Sequence, residues 1–378
     1  MASGIVLQLL LILAGIGTLT VAVLALARRR MLESLCLIWG FFSLLLIIAG
    51  IVLRPTMWNR YLSYSGLVLI GLAGVCLLIA AYFISVGISE LLRRMRETVI
   101  QISLLQLERE GVRAESIEQK KRELLVVIPA FNESGNIKKF LSQLEAASVR
   151  EYADIVVIDD GSTDRTRQIV EGMHFSCVSG IFNQGYGSAL QTGYKYAVKQ
   201  GYNYVVQADA DGQHDAGNIK KIYDELRLPD GEGRLPDIVL GSRFLPGSVS
   251  FPVPRIKMLG IVLFRWVLKL FTGERITDPT TGLQGLNART VWCYSRYGYF
   301  DDGYPDANII MQMLLRGYRI REIPAMMHER IVGKGMHSGV RPVLYMFRMA
   351  FSISAVYIRE KILKKERIPV YENMEKDI

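Results

Sequence analysis

Three uncharged apolar stretches open the chain, at residues 4–27, 34–53 (SLCLIWGFFSLLLIIAGIVL) and 66–88. A helix needs about 20 apolar residues to cross a bilayer, and each stretch reaches that length. A secretory leader has an apolar core of about 7–15 residues followed by a small-residue cleavage site. The first stretch is longer and runs straight into Arg28-Arg29-Arg30, so it reads as a span. Residues 89–110 place Leu91, Met95, Ile102 and Leu105 near helical spacing and predict an amphipathic helix leaving the membrane. The charged residues 111–122 read as a linker. From residue 123 the pattern changes to short apolar runs alternating with helical stretches. LLVVIP (124–129), DIVVID (154–159), YVVQAD (204–209) and DIVL (237–240) read as buried strands. Helices are expected near 135–148, 164–172, 186–200 and 217–227. That alternation predicts an α/β domain with a mostly parallel sheet. Residues 255–272 and 343–365 mix apolar residues with Arg255, Lys257, Arg265, Lys269, Arg348, Arg359 and Lys361. Their uninterrupted apolar runs are short for a span, and both fit helices lying in the membrane interface. The expected organisation is a transmembrane domain (1–90), a juxtamembrane helix and linker (91–122), an α/β domain (123–340) that includes the interfacial helix 255–272, and a basic C-terminal interfacial helix and tail (341–378).

The 378 residues are 50% hydrophobic, which excludes a largely disordered chain. The four cysteines are scattered and form no Cys-x-x-Cys pair, which excludes a disulfide scaffold or a thiolate metal site. The net charge of +9 favours anionic partners. The basic residues cluster near the membrane segments and no surface of interleaved aromatic and basic residues appears, so nucleic acid is not the expected partner. Arg28–Arg30 follow the first span and Arg93, Arg94 and Arg96 follow the third, whereas the second loop holds only Arg54 and Arg60. The positive-inside rule then places the N-terminus outside and everything after residue 90 in the cytosol of a multi-pass cell-membrane protein. The helix at 89–110 is a candidate for pairing, so a homo-oligomer is an open possibility.

Candidate chemistry sits where the predicted strands end, which is where α/β sheets bind ligands. The first strand runs into Pro129-Ala-Phe-Asn132-Glu133, the second into Asp159-Asp160-Gly-Ser-Thr-Asp164, and the third into Asp209-Ala-Asp211-Gly-Gln213-His214. Ser162 and Thr163 also suit helix caps, but scattered solvated carboxylates would not choose three strand ends in a row. Asp209 and Asp211, two residues apart, can both approach one divalent ion. Mg²⁺ commonly takes one or two carboxylates plus substrate phosphates.

The segment from about 123 to 335 resembles the family 2 glycosyltransferases of the GT-A fold. The resemblance rests on VVIPAFNE, IVVIDDGSTD, NQGYGSALQTG, ADADGQH and GSRF, in that order. Within that family the chain is most similar to the dolichol- and polyprenyl-phosphate sugar synthases, and residues 1–90 are similar to a three-helix membrane domain of bacterial members. The resemblance implies a nucleotide-sugar donor, UDP- or GDP-linked, inversion at the anomeric carbon, and Mg²⁺ or Mn²⁺. It assigns Pro129, Ala130 and Glu133 to the nucleotide, Asp160 to its base, and Asp209, Asp211 and Gln213 to the metal, with Asp211 the main ligand. Arg243 matches the arginine on the donor phosphates, and Arg255 one on the acceptor phosphate. Arg330, Lys334, His337 and Ser338 match a loop that often closes over the donor diphosphate, where His337 can meet a phosphate, and Arg330 and His337 are counted with Arg255 as candidates for the acceptor phosphate.

The acceptor sets the mechanism. A sugar hydroxyl needs a general base. A phosphomonoester, with a second pKa near about 6, is already an anion at neutral pH. Asp278, Asp301, Asp302 and Asp306 are the available carboxylates. Asp306 matches an acidic residue of a family helix and is read either as base or acceptor contact, or as an ordinary aspartate at a helix N-terminus. The chain departs from the family at Thr281-Gly282-Leu283-Gln284, where an arginine often stands, and at Leu259, where a serine often stands. The expected function is transfer to a polyprenyl phosphate such as undecaprenyl phosphate. The alternatives are a cell-surface glycan acceptor with a general base, and an inactive membrane scaffold.

Overall fold

The computed structural model describes residues 2–52, 63–114, 122–296, 298–301, 303, 305–329 and 341–363. Its contacts divide the chain into two units: Met1–Met95 with Tyr345–Leu363, and a second built around Arg96–Leu344.

In the first unit, α1 (Ala2–Ala27) and α2 (Glu33–Val52) form a hairpin, and α3 (Tyr64–Ala114) begins as the third apolar helix. All three are long and apolar enough to cross a membrane. Small residues bring α1 and α2 together. A side-chain carbon at Gly15 would lie 2.7 Å from the Ser43 carbonyl oxygen, and one at Gly50 would lie 3.0 Å from that of Gln8. At the Gly15 crossing the Thr18 and Ser43 hydroxyls share a 2.8 Å hydrogen bond. Arg93 donates to the backbone oxygens of Arg29 and Met31, which supplies partners for carbonyls just past the end of α1.

The C-terminal helix α11 (Arg341–Tyr357) differs from the expected separate interfacial element. Residues 345–363 pack with α1 and α2 instead. The Phe351 ring lies against Gly40, Arg348 pairs with Glu33 at 2.6 Å, and Arg359 donates to the Ala27 carbonyl at 2.9 Å. A helix whose basic side chains reach another helix's last carbonyls and an acidic first turn gains more by docking there than by remaining alone.

The second unit holds a mixed seven-stranded sheet, among the described residues, in the order β3-β2-β1-β4-β6-β5-β7. The strands are β1 (Leu124–Ala130), β2 (Ala153–Asp159), β3 (Ser176–Ser179), β4 (Tyr204–Gln207), β5 (Ile238–Ser242), β6 (Gln284–Asn287) and β7 (Ile320–Pro324). β6 runs antiparallel to β4 and β5, and the other pairings are parallel. Every residue of β1 and β5 is buried, as expected of strands covered on both faces. The covering helices are α4 (Ile137–Ala146), α5 (Thr166–Gly172), α6 (Tyr186–Gln200), α7 (Gly217–Leu226), α8 (Arg255–Thr272), α9 (Ala288–Ser295) and α10 (Ala307–Leu315).

The juxtamembrane segment also departs from expectation. No helix breaker separates the third apolar stretch from residues 89–114, and α3 runs through both. Its buried stripe in the second unit is Val99, Ile100, Ser103 and Leu104, whereas the predicted face residues Ile102 and Leu105 are exposed. Glu97 is ion-paired with Lys195 of α6. Residues 96–107, expected as part of an amphipathic helix leaving the membrane, thus belong to the α/β unit.

Candidate active site

The chain runs outward from β1 through β2 and β3, then returns to the other side of β1 as β4. Ligands of open α/β sheets bind beyond the strand carboxyl ends at such a reversal. The PAFNE segment leaves β1 there, and ADADGQH leaves β4 beside it.

The β1 and β2 loops are stitched to each other. Asn132 sits at φ 54°, a left-handed conformation that asparagine tolerates. Its amide donates to Ser162 Oγ at 2.9 Å, and its side-chain oxygen accepts the Thr163 amide at 2.9 Å. Pro129 and Ala130 close β1 in buried positions, and the Ala130 carbonyl accepts the Asp160 amide at 2.9 Å. Glu133 follows, half-buried, and accepts from Asn136 at 2.7 Å.

Asp160 is buried at the end of β2, where its two carboxylate oxygens accept the Gln184 and Gly185 amides at 2.8 Å each. Burial pushes its carboxyl up to about 6, and the two amide bonds oppose that shift. The turn that aims it needs glycine next. Gly161 has φ 68°, and a side-chain carbon there would lie 2.6 Å from the Phe182 carbonyl carbon.

The Asp-x-Asp loop is braced from beneath. His214 Nδ1 accepts the Asp209 amide at 2.9 Å, and the Tyr186 hydroxyl donates to Asp209 Oδ1 at 2.8 Å. Burial, then the Asp209 charge, raise the Tyr186 phenol well above its ordinary value, so it stays a donor. Asp211 Oδ1 accepts the Gln213 amide at 3.0 Å, and the Gln213 carbonyl accepts the His328 amide at 2.7 Å. Asp209, Asp211 and Gln213 are half-buried.

Arg243, at the end of β5, forks onto Asp278 through Nε at 2.6 Å and Nη2 at 2.7 Å. Nη2 also reaches Thr280 Oγ1 at 2.8 Å. The Arg243 side chain is 7% exposed and that of Asp278 is 0%. Asp278 is set by Glu322 of β7, which accepts its amide at 2.9 Å. The sequence reading placed Arg243 on donor phosphates; in the structure this edge of its guanidinium is occupied by Asp278.

Asp306 directly precedes α10 and makes no side-chain cap bond to it. Lys257, in the first turn of α8, feels the charges of Asp306, Asp278, Asp211 and Arg243. Its ammonium is held below the usual lysine value, by burial first and by Arg243 second, against the opposing carboxylates. The sequence reading counted Lys257 only as a basic residue of an interfacial helix. Its place two residues after Arg255 was the available signal. Tyr186, Glu322 and Gln207, which donates to the Gly282 carbonyl at 2.7 Å, were given no role: Tyr186 lies in NQGYGSALQTG and Gln207 in YVVQAD, but neither pattern says which side chain faces the site. Arg255 is exposed at the start of α8. Arg330 and His337, with Lys334, Ser338 and Asp302, lie outside the described residues.

Two carboxylates and an amide in one loop are hard oxygen donors, which fits Mg²⁺ or Mn²⁺. Among the described residues no three His, Cys, Asp or Glu side chains gather, so a bound ion would draw its remaining ligands from substrate phosphate and water. The backbone also leaves a fitted cradle: a side-chain carbon at Gly282 would lie 2.5 Å from Asp209 Oδ2. Gly282→Ala is accordingly expected to displace that carboxylate and to raise the metal concentration for half-maximal activity about tenfold, the lower end of effects on supporting groups around a metal.

Residues 125–283 match the model of Glycosyl transferase family 2. An uncharacterised protein of Methanocaldococcus jannaschii is 33% identical over 170 residues, 45% of this chain and 67% of that protein. The UDP-N-acetylglucosamine–dolichyl-phosphate N-acetylglucosaminyltransferase of Methanococcus voltae is 27% identical over 181 residues, 43% of this chain and 69% of that protein. A crystal structure of glucosyl-3-phosphoglycerate synthase from Mycobacterium tuberculosis, in complex with Mn²⁺, UDP and glucosyl-3-phosphoglycerate, aligns with a TM-score of 0.43 at 16% identity, covering 63% of this chain and 80% of that one. Sheet order, the acidic loop at the reversal and the family match together define a sugar-transferring enzyme of the GT-A class. The chain belongs to glycosyl transferase family 2.

Proposed function

We propose that the protein moves a sugar from a UDP- or GDP-linked donor to a polyprenyl phosphate such as undecaprenyl phosphate, at the cytosolic face of the cell membrane. The observation that carries this reading is the two-sided character of α8. Its first turn carries Lys257, which feels the charges of Asp211 and Asp306. Its next turns expose Leu259, Val262, Trp266 and Leu270 while Ile261, Phe264 and Leu268 are buried in the core. One helix thus offers a cation at the site and an apolar strip to a lipid chain. The relative in Methanococcus voltae is named for transfer onto dolichyl phosphate, which supports the acceptor class.

The reaction breaks the bond between the anomeric carbon and the donor diphosphate and forms one to a phosphate oxygen of the acceptor from the opposite face. The acceptor phosphate is already anionic, so no base is needed. A divalent ion held by Asp211, Asp209 and Gln213 would supply Lewis-acid neutralisation of the departing nucleoside diphosphate. The chain's own groups do the rest. Lys257 and Arg255 offset repulsion between the acceptor phosphate and the donor. Asp278 keeps Arg243 fixed beside the donor phosphates. Asp160 receives an N–H of the base, and Pro129, Ala130 and Glu133 line that end. Arg330 and His337 are read as further contacts of the acceptor phosphate.

The test is transfer of radiolabelled sugar from a panel of UDP- and GDP-sugars into undecaprenyl phosphate, with Mg²⁺, Mn²⁺ or chelator. Metal-dependent label in the lipid with matching release of nucleoside diphosphate is the expected result. Label refused by the lipid, while nucleotide sugar still binds, overturns the acceptor and moves the reaction to a glycan hydroxyl with Asp306 as base.

Asp160 adds a pH signature. Its folded value of about 6 lies above the ordinary 3.8, so between these values the folded protein holds a proton that the unfolded chain has lost. Its ionisation therefore disfavours the fold above pH 6, and that cost is relieved as pH falls toward 4. Nucleotide binding to the carboxylate runs the opposite way, with affinity falling up to about tenfold per pH unit below 6. Calorimetric titration of UDP and GDP across pH 5–8 checks this, and Asp160→Asn should flatten the profile.

A further inference from the structure

Asp209 is enclosed on three sides by groups to which the motifs assign no role. The Tyr186 hydroxyl donates to Oδ1 at 2.8 Å. His214, 4% exposed, accepts the Asp209 amide on Nδ1, so the neutral ring carries its proton on Nε2, which faces Oδ2 at 3.8 Å. On the third side is the Gly282 backbone, where a side-chain carbon would lie 2.5 Å from Oδ2 and 3.2 Å from the Tyr186 oxygen. Gly282 cannot drift away, because Gln207 holds its carbonyl at 2.7 Å and is itself bonded to the Tyr194 hydroxyl. Tyr186 comes from the first turn of α6, Gln207 and Asp209 from the end of β4, and Gly282 from the approach to β6. Three separate parts of the fold therefore converge to fix one carboxylate plane.

A loop carboxylate without such support would sample several rotamers, and each ion bound would have to select one. We infer that Tyr186 is a positioning residue for the divalent-ion site: its hydroxyl, opposed by His214 and Gly282, presets the Asp209 carboxylate for the ion and the donor diphosphate. The inference rests on the nucleotide-sugar reading above. Partners that orient metal-ligating groups typically change metal affinity by about 10–100-fold when lost. The phenol does this without adding charge, so the two carboxylates of the loop keep their full attraction for a cation.

Tyr186→Phe removes one oxygen and retains the ring. The full chain in detergent is titrated with Mn²⁺ in the presence of UDP, and separately of GDP, while the electron paramagnetic resonance signal of free Mn²⁺ is followed. Metal-free nucleotide binding and the thermal midpoint are measured alongside. The expected result is about a tenfold weaker uptake of Mn²⁺ in Tyr186→Phe, with metal-free nucleotide binding and thermal midpoint close to those of the parent. His214→Asn, whose side-chain oxygen can still accept the Asp209 amide, is expected to shift uptake in the same direction. Unchanged Mn²⁺ uptake in Tyr186→Phe, with the parent binding normally, overturns the positioning role and leaves the transferase reading intact. Equal loss of nucleotide binding with and without metal also overturns it, since that marks a general defect of the loop. Absence of nucleotide-dependent Mn²⁺ uptake in the parent chain overturns both readings.

Discussion

Asp211→Ala is expected to reduce sugar transfer at least about 10³-fold, equivalent to about 4 kcal/mol of lost transition-state stabilisation. The leaving group is a diphosphate, and without neutralisation its charge must develop against Asp209 of the same loop. The fold should survive the change. Asp211 is half-buried in a loop, and its described bond is to the amide of Gln213 two residues on. The measurement is turnover at saturating Mn²⁺ together with a thermal unfolding curve. Parental turnover in a folded Asp211→Ala protein would remove Asp211 from the metal site.

Asp278→Ala carries the largest expected cost in stability. Asp278 is fully buried and accepts the backbone amide, Nε and Nη2 of Arg243. Its loss leaves a guanidinium inside the protein without its carboxylate. Removing one partner of such a pair typically costs about 3–5 kcal/mol. The double variant Arg243→Met/Asp278→Ala should recover part of that loss, because it removes the stranded charge as well. Denaturant midpoints of the parent, both single variants and the double variant give the coupling directly. A single-variant cost below about 1 kcal/mol would mean that water reaches the guanidinium and the pair is not closed.

The long-range organisation of the catalytic unit was legible in the residues because its parallel strands are buried on both faces and therefore spell continuous apolar runs. β1, β2, β4 and β5 fall on the four runs read from the sequence. β3, β6 and β7 escaped. β6 is QGLN, four residues with one apolar side chain, and it is a strand only because β4 and β5 lie on either side to pair with it. β7 is IREIP and owes its place to parallel pairing with β5 and to Glu322 reaching the turn at Thr277 and Asp278. The same division runs through the site. The Asp-x-Asp loop and Asp160 could be found because local sequence puts them at strand ends. Tyr186 lies in a quoted motif and Lys257 two residues after Arg255, but what gives them a role is the approach of α6 and α8 to loops elsewhere in the sequence, which neither motif nor spacing states. The amphipathic face of residues 96–107 was misread for a related reason. Spacing shows that a helix has an apolar side, but contact with α6 decides which side is used.

The Thr18–Ser43 hydroxyl pair gives the apolar hairpin a property that hydrocarbon packing cannot. Leucine and isoleucine surfaces slide past one another at little cost when the surrounding medium is equally apolar. An interhelical hydrogen bond in such surroundings averages only about 0.6 kcal/mol, too little to hold two helices together. Its value lies in counting turns. A slip of α1 against α2 by one turn parts both hydroxyls and drives the narrow crossings at Gly15 and Gly50 onto full side chains. The pair thus works as an index mark that leaves one alignment of the hairpin, and with it one height for the arginines that follow α1.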